Sequence, residues 1–166
     1  MVTISPAGAD DIGVVQALAD HVWRRHYPGI ISIEQIDYML EQGYSREALL
    51  RYVDATDAGL ALARVDDEPV AFVAWQKSDS GSMKLEKLYV APKHHGKGVG
   101  RALIEHVIAT ARRAGCRDVM LQVNRNNGSS IRAYEHCGFA IRKRGDFAIG
   151  NGFVMEDYVM VRSLET

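Results

Sequence analysis

Along the chain, the spacing of apolar residues switches from helical to alternating and then back. After a short strand at Thr3-Ile4-Ser5, Asp10 and Asp11 place acid at a helix start. Val14, Val15, Leu18, Val22 and Trp23 then recur at helical spacing up to Tyr27-Pro28. Ser32 is placed to cap a second helix with Ile33, Ile36 and Leu40 on one stripe, and Ser45 a third carrying Leu49, Leu50 and Val53. From Ala58 the period shortens to two. GLALARV and PVAFVAWQ flank the turn-like DDE as a hairpin, and SMKLEKLYV follows as a strand ending at Ala91-Pro92. A helix from Val99 keeps Leu103, Val107 and Ala111 on one face, with Ile104 and Ile108 beside them. Arg112 and Arg113 sit in its last turn, and Gly115 follows at its end. RDVMLQV reads as a strand and SSIRAYEHC as a short helix. FAIRKRGDFAI and FVMEDYVMVRSL close the chain as a strand pair around the tight-turn signal Asn151-Gly152. Helices, a three-stranded meander, helix, strand, helix and two strands make a mixed α+β sheet domain.

With 166 residues and no repeat or linker, the pattern predicts a single domain over residues 1–166. Its 47% hydrophobic and 25% charged content is that of an ordinary soluble globular protein. A formal net charge of −1 supplies no basic field, so neither nucleic acid nor a membrane surface is an expected partner. No apolar run approaches a membrane span, and the MVTISPAGADD start lacks the regions of a signal peptide. Two cysteines, Cys116 and Cys137, have no metal-ligand spacing, and the six histidines form none; no metal is assigned. A cytoplasmic protein with reduced thiols is the expectation.

The stretch HHGKGVGRAL asks for an explanation. Gly96, Gly98 and Gly100 stand at every second position where a helix begins, although glycine has the most backbone freedom to lose. A P-loop would need Gly-Lys-Ser/Thr, but Arg101 and Ala102 follow Gly100. The dinucleotide fingerprint needs a third glycine where Arg101 or Leu103 stands. A polar stretch from Pro92 to His95 also separates the strand from the first glycine. What remains is backbone N–H groups of residues 95–100 converging on an anion at the positive end of a helix, with Lys93, Lys97 and Arg101 around it. A pyrophosphate fits that description, as does a glycine-rich turn with solvated basic residues.

LYVAPKHHGKGVGRAL resembles the acetyl-CoA-binding segment of the GCN5-related N-acetyltransferase (GNAT) superfamily, a Gln/Arg-x-x-Gly-x-Gly/Ala pattern after a strand. His95 takes the Gln/Arg position, with Gly98 and Gly100 as the small residues. LQVNRNNGSSIRAYEHCGF is similar to that superfamily's second segment through Asn127, Tyr134, Gly138 and Phe139, with Ser130 where alanine is commoner. The resemblance implies a single-domain fold with a mixed, mostly antiparallel sheet of about seven strands flanked by helices. It also implies acetyl transfer from acetyl-CoA, as cosubstrate, to a primary amine by direct attack.

Site residues follow from the same resemblance. Leu88, Tyr89 and Val90 supply strand contacts to the coenzyme, with Val90 where the family places an oxyanion donor. Lys93, His95, Gly96, Lys97, Gly98, Val99, Gly100 and Arg101 form the phosphate cradle. His95 acts there chiefly through its backbone N–H, and loss of its charge above a pKa of ~6.5 makes coenzyme affinity mildly pH-dependent. Tyr134 matches the general acid, since a phenol with a pKa of ~10 is protonated at neutral pH. Glu86, placed by alternation on the strand face of Leu88 and Val90, resembles the glutamate that deprotonates the amine through water, or is an exposed carboxylate beside Lys84 and Lys87. Asn127 faces the coenzyme, caps the short helix, or does both, and Ser129 and Ser130 are near enough to share either task. Cys137 reads as apolar filler, with no activating base nearby in sequence.

The acceptor is less constrained. SIEQIDYMLEQGYSREALL and DFAIGNGFVMEDYVMVRSL resemble segments of bacterial polyamine (spermidine/spermine) acetyltransferases. Glu34, Asp37 and Glu41 share one helix face, suited to a cationic tail or to plain solvation. A protein N-terminus, a lysine or an aminoglycoside is the other enzyme reading, and an acyl-CoA-binding sensor without turnover the non-enzyme one. Homodimers are common in the superfamily, and no stretch of this chain specifies one.

Overall fold

A computed structural model describes residues 1–165. The strands are β1 (Val2–Pro6), β2 (Ala58–Val65), β3 (Glu68–Lys77), β4 (Ser82–Val90), β5 (Asp118–Asn124), β6 (Ala140–Gly150) and β7 (Phe153–Ser163). They form a single seven-stranded sheet in the order β1-β2-β3-β4-β5-β7-β6. Every neighbouring pair is antiparallel except β4–β5. The helices are α1 (Ile12–His26), α2 (Ile33–Tyr44), α3 (Arg46–Leu50), α4 (Val99–Arg113) and α5 (Gly128–His136). The expected α+β sheet with flanking helices is the one observed, and no helix among the described residues is long and apolar enough to cross a membrane.

The central strands are buried on both faces, which is why GLALARV and PVAFVAWQ read as nearly continuous apolar runs. Leu60, Leu62, Phe72 and Ala74 pack under α1–α3 with Ile12, Val15, Trp23, Ile36 and Leu49. Ala61, Ala63 and Val73 pack on the other face under Leu103, Val107, Ile108 and Ala111 of α4. Truncating a fully buried leucine such as Leu103 to alanine costs about 2–5 kcal/mol. The β2–β3 and β6–β7 hairpins turn on paired left-handed residues, Asp66-Asp67 (φ 51° and 66°) and Asn151-Gly152 (φ 53° and 78°), the geometry that matches strand twist.

The third helix is shorter than expected. Ser45 caps it, its side chain accepting from the Ala48 N–H at 3.1 Å, but the helix ends at Leu50. Val53 instead donates to the Leu50 carbonyl in a tight turn that runs into left-handed Asp54 (φ 56°).

One feature of the sheet creates the site. β4 and β5 pair in parallel over Ser82–Lys84 and Asp118–Met120, and beyond that point β4 leaves its neighbour. The β3–β4 register shifts between Ala74↔Lys87 and Trp75↔Leu85, so Glu86 has no partner on β3 and forms a bulge. A bulge bends and twists its strand, and here the second half of β4 diverges from β5 while Lys87–Val90 stay paired with β3.

Candidate active site

The glycine-rich loop leaves β4 through a 3-10 turn, Pro92–His94. Gly96 (φ 74°) and Gly98 (φ 83°) are left-handed, and a side chain at either would meet nothing within 4 Å. Conformation, not crowding, requires glycine at these two positions. Gly100 differs: it lies inside α4, where an added Cβ would come 3.6 Å from Val90 Cγ2. The first intrahelical bond runs from the Ala102 N–H to the Gly98 carbonyl at 3.0 Å. The N–H groups of Val99, Gly100 and Arg101 are therefore free at the positive end of a 15-residue helix, a fit for a pyrophosphate.

His95 departs from expectation. Its backbone N–H is spent on the Pro92 carbonyl at 3.2 Å. Its ring reaches back instead, Nε2 donating to the Val90 carbonyl at 2.7 Å, which pins the loop to the end of β4. Lys93 pairs with Glu68 at 3.3 Å on the surface. Apart from Lys93 and Lys97, every residue expected to touch the coenzyme lines one cleft of about 480 Å³. Val22 and Cys137, which read from sequence as apolar packing, also line it, as does His26 of α1, which carries no signal in the sequence. Burial pushes the Cys137 thiol pKa up, which keeps it an unreactive wall residue.

Asn127 begins α5, its Oδ1 accepting from the Ser130 N–H and the Ser129 hydroxyl, both at 3.4 Å. The His26 ring holds that same oxygen at 3.0 Å, tying α1 to the cap. Asn127 is thus both a helix cap and part of the cleft wall. Along β4, the Ala91 N–H donates to Val70 on β3 at 2.8 Å. Strand groups alternate, so the N–H and carbonyl of Val90, and those of Leu88, turn away from β3 into the gap left by β5.

A second cavity of about 420 Å³ opens on the other side of that gap. Trp23, Tyr27, Tyr44, Tyr89 and Phe147 make it strongly aromatic. Leu88, Tyr89, Asn127, Ser130 and Tyr134 line both spaces and form their common wall. Tyr134 sits there on α5 with its ring edge against Phe139, centroids 5.8 Å apart. Burial, reinforced by Tyr27 and Cys137, pushes its pKa above the ordinary phenol value, so it holds its proton at neutral pH. Tyr27 and Tyr89 meet hydroxyl to hydroxyl at 3.3 Å beside it.

Two carboxylates line the second cavity. Glu86 pairs with Lys84 at 3.5 Å near the rim. The alternation that placed it on the face of Leu88 and Val90 does not hold, because the bulge falls at Glu86 itself: Leu85 and Leu88, three residues apart, both pack under α4. Asp157 of β7 was not singled out from sequence. It is 4% exposed, its Oδ1 has no hydrogen-bond partner, and burial raises its pKa to about 6 against the pull of Arg125 and Lys84. A carboxylate inside VMEDYVMV carries no signal of depth until the strand is placed. The acidic face of α2 lies elsewhere: Glu34, Asp37 and Glu41 line neither space, and Asp37 pairs with Arg24 at 2.8 Å.

Residues 16–139 match the acetyltransferase (GNAT) family. An uncharacterized N-acetyltransferase of Mycobacterium bovis is 30% identical over 154 residues, covering 93% of this chain and 98% of the relative. A spermidine N(1)-acetyltransferase of Thermoplasma acidophilum is 24% identical, covering 93% of this chain and 96% of its own length. The crystal structure of the PaiA N-acetyltransferase from Thermoplasma acidophilum in complex with coenzyme A superposes with a TM-score of 0.85 at 23% identity, over 98% of this chain and 99% of that one. The chain belongs to the acetyltransferase (GNAT) family. It is an N-acetyltransferase that uses acetyl-CoA as donor.

Proposed function

We propose that the enzyme moves the acetyl group of acetyl-CoA, held in the first cleft, to a primary amine of a small molecule held in the second, by direct attack at their common wall. The observation that carries this reading is that five residues, Tyr134 among them, line both spaces. Acetyl-CoA supplies an activated thioester. The free N–H groups of Val99, Gly100 and Arg101 hold its pyrophosphate, with Arg101 adding charge. Leu88 offers its unpaired N–H and carbonyl to align the arm, the Val90 carbonyl being taken by the His95 ring, and the free Val90 N–H stabilises the oxyanion, a contribution of about 3 kcal/mol to the barrier.

The nitrogen sheds two protons as the N–C bond forms and the C–S bond breaks. Asp157 takes the ammonium proton, which passes on to solvent. The second reaches the departing sulfur through Tyr134, so one proton is released per turnover. Glu86 is the second reading for the base, favoured by its place on the wall of the same cavity. The acidic face of α2 lies outside both spaces, so a polyamine tail would find no carboxylates there.

The test is acetyl-CoA-dependent thiol release across diamines, spermidine, amino acids, lysine and N-terminal peptides, and aminoglycosides. Turnover with one class is expected, and its loss in Tyr134→Phe with coenzyme binding retained. Coenzyme binding with no release for any amine would contradict the reading and favour a sensor.

A further inference from the structure

The second cavity contains two charged groups, Asp157 and Lys87, that make no ion pair among the described residues. Asp157 presents its buried, unpartnered Oδ1 from the β5–β7 side. Lys87 stands on the β4 side, its ammonium 4.7 Å from the Tyr44 ring centre and 5.8 Å from that of Tyr52. Among the described residues no carboxylate comes within ion-pair distance of Lys87. Burial lowers its pKa, with Glu86 pulling the other way and Arg51 and Lys84 adding to the fall.

The neighbouring charges are each spent. Lys84 is engaged by Glu86 at 3.5 Å. Arg125, which faces Asp157, is held by Asp146 at 3.0 Å, Glu156 at 3.9 Å and the Gly145 carbonyl at 3.3 Å. Burying a charge without an ion-pair partner opposes folding, strongly for buried Asp157 and in part for half-buried Lys87. A ligand that answers both removes both penalties at once. A polyamine would answer Asp157 but bring a second ammonium toward Lys87, and a simple monoamine would leave Lys87 as it is.

We infer that the acceptor is dipolar: an amine that also carries an anionic group, of the amino carboxylate type, with its ammonium at Asp157 and its anion at Lys87. Met39, Phe147 and Met155 line the space and suit an apolar body between the two ends. The inference rests on the acetyl-transfer reading above and narrows its acceptor.

It is tested by steady-state acetylation of apolar L-amino acids and of ω-amino carboxylates of increasing length, each beside its own carboxamide, with spermidine as the polycation. The expected result is that at least one carboxylate exceeds its amide in kcat/KM by about tenfold or more, the scale of one charge-assisted contact. Lys87→Met should bring that ratio toward one. Because the ratio is taken within one preparation, it does not depend on the fraction folded. Amides or spermidine acetylated as well as every carboxylate would overturn the dipolar acceptor while leaving acetyl transfer standing. No thiol release with any amine, coenzyme being bound, would count against acetyl transfer itself and the dipolar acceptor with it.

Discussion

As proposed, the two spaces that meet at Tyr134 take coenzyme and acceptor, and they would recognise these occupants by different means. The coenzyme cleft works largely through backbone: left-handed Gly96 and Gly98, the free N–H groups at the start of α4, and the unpaired edge of β4. The second cavity works through side chains drawn from α1, α2, α5, β4, β5, β6 and β7, with aromatic walls and isolated charges. Backbone recognition tolerates substitution wherever conformation is kept. Side-chain recognition changes with a single residue. A fold built this way can keep one donor while its acceptor varies, and the two halves should therefore fail differently when perturbed.

The largest effect is expected where they join. Tyr134→Phe should lower kcat by about a hundredfold or more while the coenzyme dissociation constant stays within about threefold. Equal losses in both would make Tyr134 a packing residue. Asp157→Asn should strike the acceptor side alone, with kcat/KM for the amine down by about tenfold or more and coenzyme affinity unchanged.

The same change should alter stability in a predictable direction. The folded-state pKa of Asp157, about 6, lies above the ordinary 3.8, so the folded protein binds that proton more tightly than the unfolded chain. The resulting stabilisation is complete below the ordinary value and is lost as pH rises through about 6. Asp157→Asn should accordingly gain in Tm relative to the parent as pH rises across that window, while the parent's own kcat/KM rises as the carboxylate ionises. Thermal melts and rate profiles from acid to neutral pH check both; a Tm difference flat with pH would remove Asp157 as a buried, costly carboxylate.

Gly98→Val addresses the other half. A branched residue at φ 83° costs about 1–2 kcal/mol and displaces the cradle, so coenzyme affinity should fall by about tenfold, as read by calorimetry, with acceptor KM little changed. The smallest effect is expected from neutralising Glu34, Asp37 and Glu41 together, which should leave kcat/KM within about twofold, since the Asp37–Arg24 pair is exposed and worth little.

How much could be read from the chain divides along the same line. The sheet, the hairpins at Asp66-Asp67 and Asn151-Gly152, and helices α1, α2, α4 and α5 follow from periodicity and turn residues, and the left-handed loop before α4 from glycines and helix-start residues that are contiguous. His95 was placed in the cradle, but its N–H is committed to the 3-10 turn that Pro92 starts, which residue type alone does not reveal. The bulge at Glu86 was equally hidden: alternation assumes an unbroken register, and the shift is set by how β3 and β4 pack. Asp157 reads as an ordinary polar position in a closing strand, and its burial at the wall of the second cavity exists only once the fold is assembled. Side chains gathered from seven elements leave no spacing to find.

The most direct test of the central claim is a crystal structure of the enzyme with coenzyme A bound. The account predicts the pyrophosphate on the N–H groups of Val99, Gly100 and Arg101, and the thiol sulfur within about 3–3.5 Å of the Tyr134 hydroxyl, facing the cavity that holds Asp157. A sulfur lodged away from Tyr134, or a coenzyme arm that leaves the unpaired edge of β4 untouched, would contradict it.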